Sequence, residues 1–74
     1  MDLGTRISAW LKVRGMTQKD LAVAVGVSPA AVTAWVKGEY APGNGNLEAI
    51  ATALDVTMER FYGRIPKAKV AASA

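Results

Sequence analysis

Residues 17–38 read TQKDLAVAVGVSPAAVTAWVKG, and the punctuation within this stretch decides the fold. Two short apolar-periodic segments flank Gly26, and each opens on a helix-start signal. Thr17 offers a hydroxyl oxygen to the free N–H groups of the turn behind it, and Asp20, three residues on, completes a capping box. Ser28 does the same for the second segment, with Pro29 at the first helical position, where a missing N–H costs nothing. Gly26 falls where a chain leaving a helix needs a positive φ, which glycine adopts without strain. Leu21, Ala22 and Val25 share one face of the first helix; Val32, Trp35 and Val36 share one face of the second. Helices joined this tightly cross steeply, and the small Ala22 lets their backbones approach. The pattern predicts a helix-turn-helix, with helices over about residues 18–25 and 29–37.

Upstream, Leu3, Ile7, Trp10 and Leu11 keep the spacing of a helix that buries one side, with Arg6, Lys12 and Arg14 on the polar side and Gly15 ending it. Trp10 has the phase of the core residues. Met16 precedes the Thr17 cap as one half of a hydrophobic staple with Leu21. Downstream, Gly38 stops the second helix of the pair, and the segment 39–46, EYAPGNGN, reads as an irregular loop. Asn46 is expected to cap a fourth helix that buries Leu47, Ile50, Ala51 and Leu54. Thr57 is expected to cap a short last helix, Met58 to Tyr62, ended by Gly63. The remaining RIPKAKVAASA is basic at Arg64, Lys67 and Lys69, contains Pro66 and has no amphipathic period, so residues 64–74 read as a flexible tail behind a 1–63 domain. The fold class expected is all-α: five helices around one core.

Seventy-four residues make one small domain near the lower limit of an unstapled core. With no cysteine, disulfides and thiolate metal sites are excluded; with no histidine, the commonest general base and metal ligand is gone. No catalytic residue, metal site or cofactor is therefore assigned, and an enzyme is the least favoured reading. The longest apolar run, 21–27, is too short to cross a bilayer and the N-terminus lacks the layout of a signal peptide, so a cytoplasmic location is expected, with no membrane partner. A net charge of +3 leans toward a polyanionic partner.

With the helices placed, Thr17-Gln18, Leu21-Ala22, Gly26-Val27-Ser28, Val32-Thr33, Trp35, Gly38 and Pro42, followed by Leu47, Ile50-Ala51, Leu54 and Val56, resemble the Cro and phage-repressor type (XRE-like) helix-turn-helix family over roughly residues 3–63. The resemblance implies a compact lambda-repressor-like DNA-binding domain whose helix 3 enters the major groove of double-stranded DNA while helix 2 lies across the backbone. It implies base contacts from Ser28, Pro29, Ala30, Thr33 and Ala34, and backbone contacts from Thr17, Gln18, Lys19, Lys37, Asn44 and Asn46, with Gly43 and Gly45 as further backbone donors. The recognition face is sparsely armed: Ala30 and Ala34 offer only methyl groups to thymine, where relatives often carry Gln, Asn or Arg. Relatives also often pair an Arg of helix 1 with a Glu of helix 3. Leu11 and Val36 occupy those places, so an apolar contact between them is expected instead. Glu39 is expected to turn outward, away from phosphate.

So few polar groups on one half-site imply a homodimer on two half-sites about 34 Å apart. Met58 and Tyr62 are the candidate dimer contacts, with burial inside the monomer as the alternative. The function expected is a sequence-specific, nucleoid-associated transcriptional regulator that represses by occluding a promoter. The alternative is a protein-interaction or antitoxin-like module that retains the fold and meets a protein partner.

Overall fold

A computed structural model describes residues 1–66. The order is α1 Leu3–Arg14, α2 Gln18–Val25, α3 Pro29–Lys37, α4 Asn44–Ala53 and α5 Met58–Tyr62. Among the described residues there is no strand, and no single helix is long and apolar enough to cross a membrane. The fold is the all-helical one expected.

The decisive stretch folds by the local chemistry its residues carry. The Asp20 N–H donates to Thr17 Oγ1 at 3.0 Å and the Thr17 N–H to Asp20 Oδ2 at 2.9 Å, which closes the capping box. Gly26 takes φ 86° and sends its N–H back to the Ala22 carbonyl at 2.8 Å. Ser28 Oγ accepts the Ala31 N–H at 3.2 Å, Pro29 opens α3, and the chain turns by 117° between the two helices. Asp2, to which the sequence reading gave no role, caps α1 by accepting the Thr5 N–H at 2.8 Å.

The core is Ile7, Trp10 and Leu11 of α1, Leu21 and Ala22 of α2, Val32 and Trp35 of α3, Ile50 and Ala51 of α4, with Leu54 and Phe61. Burying each large member contributes about 1.5–3 kcal/mol, which is how so short a chain sustains a fold. Leu11 lies in this core, and the half-buried Val36 packs against the same cluster. Met16, the staple residue, also packs there. Gly4 explains how closely α1 crosses α3: a Cβ at that position would collide with the Val36 carbonyl oxygen and lie 2.6 Å from that of Trp35.

Two expectations are corrected. Asn46 does not cap the fourth helix. That helix begins three residues earlier, after Gly43, because the Leu47 N–H finds the Gly43 carbonyl at 2.8 Å and the backbone is already wound through Asn44 and Gly45. Asn46 thus sits inside the first turn, and no side chain caps α4. Ala34 does not face outward either; it is 7% exposed. Both α1 and α2 pack on α3, so its buried arc is wider than the Val32–Trp35–Val36 stripe and takes in Ala34.

The segment from Leu54 to Gly63 is bound to α1 through polar side chains of that helix. Trp10 Nε1 donates to the Phe61 carbonyl at 3.0 Å, and Arg6 Nη1 donates to the same carbonyl at 3.0 Å and to that of Gly63 at 2.7 Å. Arg14 Nε donates to the Leu54 carbonyl at 2.8 Å. The guanidinium groups of Arg14 and Arg60 lie 5.6 and 5.9 Å from the Trp10 ring centroid, within cation–π range. Ile65, two residues past the expected domain boundary, packs against the core, and Arg64 is exposed. Residues 67–74 of the expected tail, with Lys67 and Lys69, lie outside the described residues.

Candidate functional site

The outer ridge of α3 and the first turn of α2 form one surface. On α3, Ser28, Pro29, Ala30 and Lys37 are exposed and Thr33 is half-buried, while Trp35 on the opposite side is 3% exposed. The predicted base-contact residues are thus brought together, less Ala34. Pro29 lacks an N–H and Ala30 offers a methyl, so the polar groups of the ridge come down to two hydroxyls and one ammonium.

Those hydroxyls are engaged differently. Ser28 accepts a backbone N–H, which leaves its proton free to donate. Thr33 Oγ1 donates to Gln18 Oε1 at 2.8 Å, a bond between α3 and α2. It ties a residue expected to meet the backbone to one expected to meet a base. Nothing in the linear spacing announces it, because it depends on the angle at which the two helices cross.

The first turn of α2 has the makings of an anion site. Gln18 and Lys19 occupy its first two positions, where helical N–H groups have no carbonyl one turn earlier to bond, and the positive end of the helix dipole adds to this. Lys19 and Thr17 are exposed there. The Asp20 carboxylate stands on the same turn; the backbone N–H of Thr17 holds its pKa below the usual value, so it stays ionised. At the start of α4, Gly43, Asn44 and Gly45 are exposed and Asn46 is half-buried, in a helix start whose N–H groups no side chain has capped. Glu39 is exposed.

The remaining candidates lie elsewhere. Met58 packs partly against the core, whereas Tyr62 is 50% exposed and meets Phe61 edge-on, with centroids 5.0 Å apart. Sequence reasoning passed over two exposed apolar side chains, Val23 on α2 and Tyr40 after α3. Tyr40 borders a shallow cleft with Asp2, Leu3 and Trp35. The arginines carry a signal that could have been read: long donors at positions 6 and 14, one turn either side of Trp10, on a helix with few acidic partners. Among the described residues, no three His, Cys, Asp or Glu side chains gather as metal ligands would.

Comparison with known proteins bears on what this surface meets. A family model described as helix-turn-helix matches residues 7–61. No curated protein matches the chain in sequence. Among solved structures, the DNA-binding domain of the P22 c2 repressor is similar at 31% identity and a TM-score of 0.82, over 89% of this chain and 88% of that one. The P22 c2 repressor in complex with a synthetic operator is similar at 33% identity and a TM-score of 0.74, over 82% and 92%. The restriction-modification controller protein C.AhdI from Aeromonas hydrophila is similar at 25% identity and a TM-score of 0.76, over 81% and 91%.

Proposed function

The chain belongs to the XRE-type helix-turn-helix family, and from that premise we propose that it is a DNA-binding transcription regulator that reads duplex sequence in the major groove with α3. One observation carries this reading. Ser28, Ala30 and Lys37 stand exposed, with Thr33 half-buried among them, beside the first turn of α2, while Trp35 holds the opposite side of α3 in the core. A helix anchored by one ridge and open along the other can enter a groove without disturbing the fold.

Ser28, Pro29, Ala30 and Thr33 meet base edges. Thr17, Gln18, Lys19, Lys37, Asn44 and Asn46 meet the backbone, with the N–H groups left free at the starts of α2 and α4 directed at phosphates. A second copy, joined through the exposed Tyr62 with Met58 beside it, supplies the other half-site of an operator, and occlusion of a promoter represses transcription. A cytoplasmic, nucleoid-associated location accompanies this function. Fluorescence anisotropy against the DNA flanking its own gene and against a random duplex, at two salt concentrations, tests it. Specific binding tighter by a factor of about 10³ or more is expected. Equal affinity for both duplexes would remove the reading and favour a module that meets a protein instead.

A further inference from the structure

Two helical threonines, Thr33 and Thr52, behave differently. Thr52 on α4 donates its hydroxyl proton to the Glu48 carbonyl one turn back, at 3.0 Å, the usual local bond of a helical threonine. Thr33 on α3 sends its proton across to Gln18 Oε1 on α2 instead. A hydroxyl has one proton and two lone pairs. Once the proton is committed to an amide oxygen, what Thr33 still presents is an acceptor oxygen and a methyl group.

We infer that Thr33, oriented by Gln18, is a specificity-determining residue that selects base edges offering a hydrogen-bond donor. The inference rests on the reading of α3 as the groove-entering helix. In the major groove the donors are adenine N6 and cytosine N4, whereas guanine O6 and N7 and thymine O4 only accept. The phosphate backbone enforces this polarity. Phosphate oxygens accept and do not donate, so a Gln18 amide beside a phosphate turns its NH2 toward it. Its oxygen then faces Thr33 and takes the hydroxyl proton. Gln18 is therefore a positioning residue: it touches backbone, yet it decides which base its neighbour accepts. Ser28 differs: its oxygen takes the Ala31 N–H with one lone pair and its proton stays free, so of the two ridge hydroxyls only Thr33 is restricted to accepting.

Selection of binding sites from a randomised duplex pool by the full chain, followed by sequencing, tests this. The wild-type chain is expected to prefer adenine or cytosine at one position that loses its preference in Thr33→Val, an isostere without the hydroxyl. In Gln18→Met the hydroxyl proton is released. Guanine and thymine should then be accepted at that position, with discrimination there falling roughly tenfold. Gln18→Glu keeps an acceptor for Thr33 and loses the amide donors. It should keep the base preference while overall affinity drops, an outcome that a merely structural role for Gln18 does not produce. A wild-type preference for guanine or thymine at the Thr33 position overturns the inference, as does a preference unchanged in Gln18→Met or in Thr33→Val. Each of those results leaves the regulator reading standing. A wild-type chain that enriches no motif overturns both.

Discussion

The inner side of α1 and the outer ridge of α3 use polar groups in opposite ways. On α1, an indole and two guanidinium groups direct their N–H bonds at carbonyls of the chain's own C-terminal third. On α3, the ridge holds a proline ring, small methyls, two hydroxyls and Lys37, with little beyond one cap and one cross-helix bond engaged inside the fold. The contrast teaches that net charge is a poor guide to an interface in so small a domain. Arg6 and Arg14 count toward the +3, yet they hold the fold together, and the candidate surface keeps one cation on its α3 ridge, Lys37, with Lys19 on the first turn of α2. Under the proposed function, affinity comes from Lys19 and Lys37, backbone amides, helix dipoles and a second copy, and specificity from a few hydroxyls and methyls.

The largest effect that tests this contrast is at Trp10, fully buried and bonded to the Phe61 carbonyl. Trp10→Ala should cost about 3–5 kcal/mol, comparable with the whole stability of a small domain, and abolish the cooperative transition in urea followed by circular dichroism. A variant that still melts within a few degrees of wild type would show that the α1 side does not hold the fold. Arg6→Met comes next. Losing its bonds to two carbonyls should cost about 1–3 kcal/mol, while the slope of log affinity against log salt stays unchanged. A shallower slope would move Arg6 to the ligand side of the comparison.

Lys37→Gln should do the reverse: stability within about 0.5 kcal/mol of wild type, and a salt slope smaller by about 0.9 if one phosphate contact is lost. The smallest effect is at the capping carboxylates. Backbone N–H groups hold Asp20 and Asp2 below the ordinary carboxylate pKa. Their contribution is therefore complete above that value and is lost as pH falls through the lowered one. The melting temperature should drop as pH is lowered from 5 toward 2 (on the order of a few degrees at most), and Asp20→Asn should flatten part of that drop.

How much the sequence revealed follows from the distance over which each feature is decided. Thr17 with Asp20, Ser28 with Pro29, and Gly26 settle their conformation within three residues, and the apolar stripes settle burial by phase, so the helix pair and most of the core were legible. Ala34 was misread because the width of the buried arc on α3 depends on α1 as well as α2. Asn46 was misread because a cap preference yields when the backbone upstream can wind into another turn. The bonds of Arg6, Trp10 and Arg14 span 57, 55, 51 and 40 residues, and no local pattern encodes them. At the candidate site, which residues share the ridge was readable from helical phase. The direction of the Thr33 proton was not, since it needs Gln18 on another helix at a particular angle.

The bond between Trp10 and the Phe61 carbonyl also sets an order of events during synthesis. While the ribosome is still producing the first four helices, the indole N–H lacks its native acceptor and the core lacks the Phe61 side chain that completes it. A nascent chain stopped before residue 61 holds the whole helix-turn-helix but cannot shut the core around it, so premature termination in this stretch should yield a product destined for degradation rather than a truncated reader.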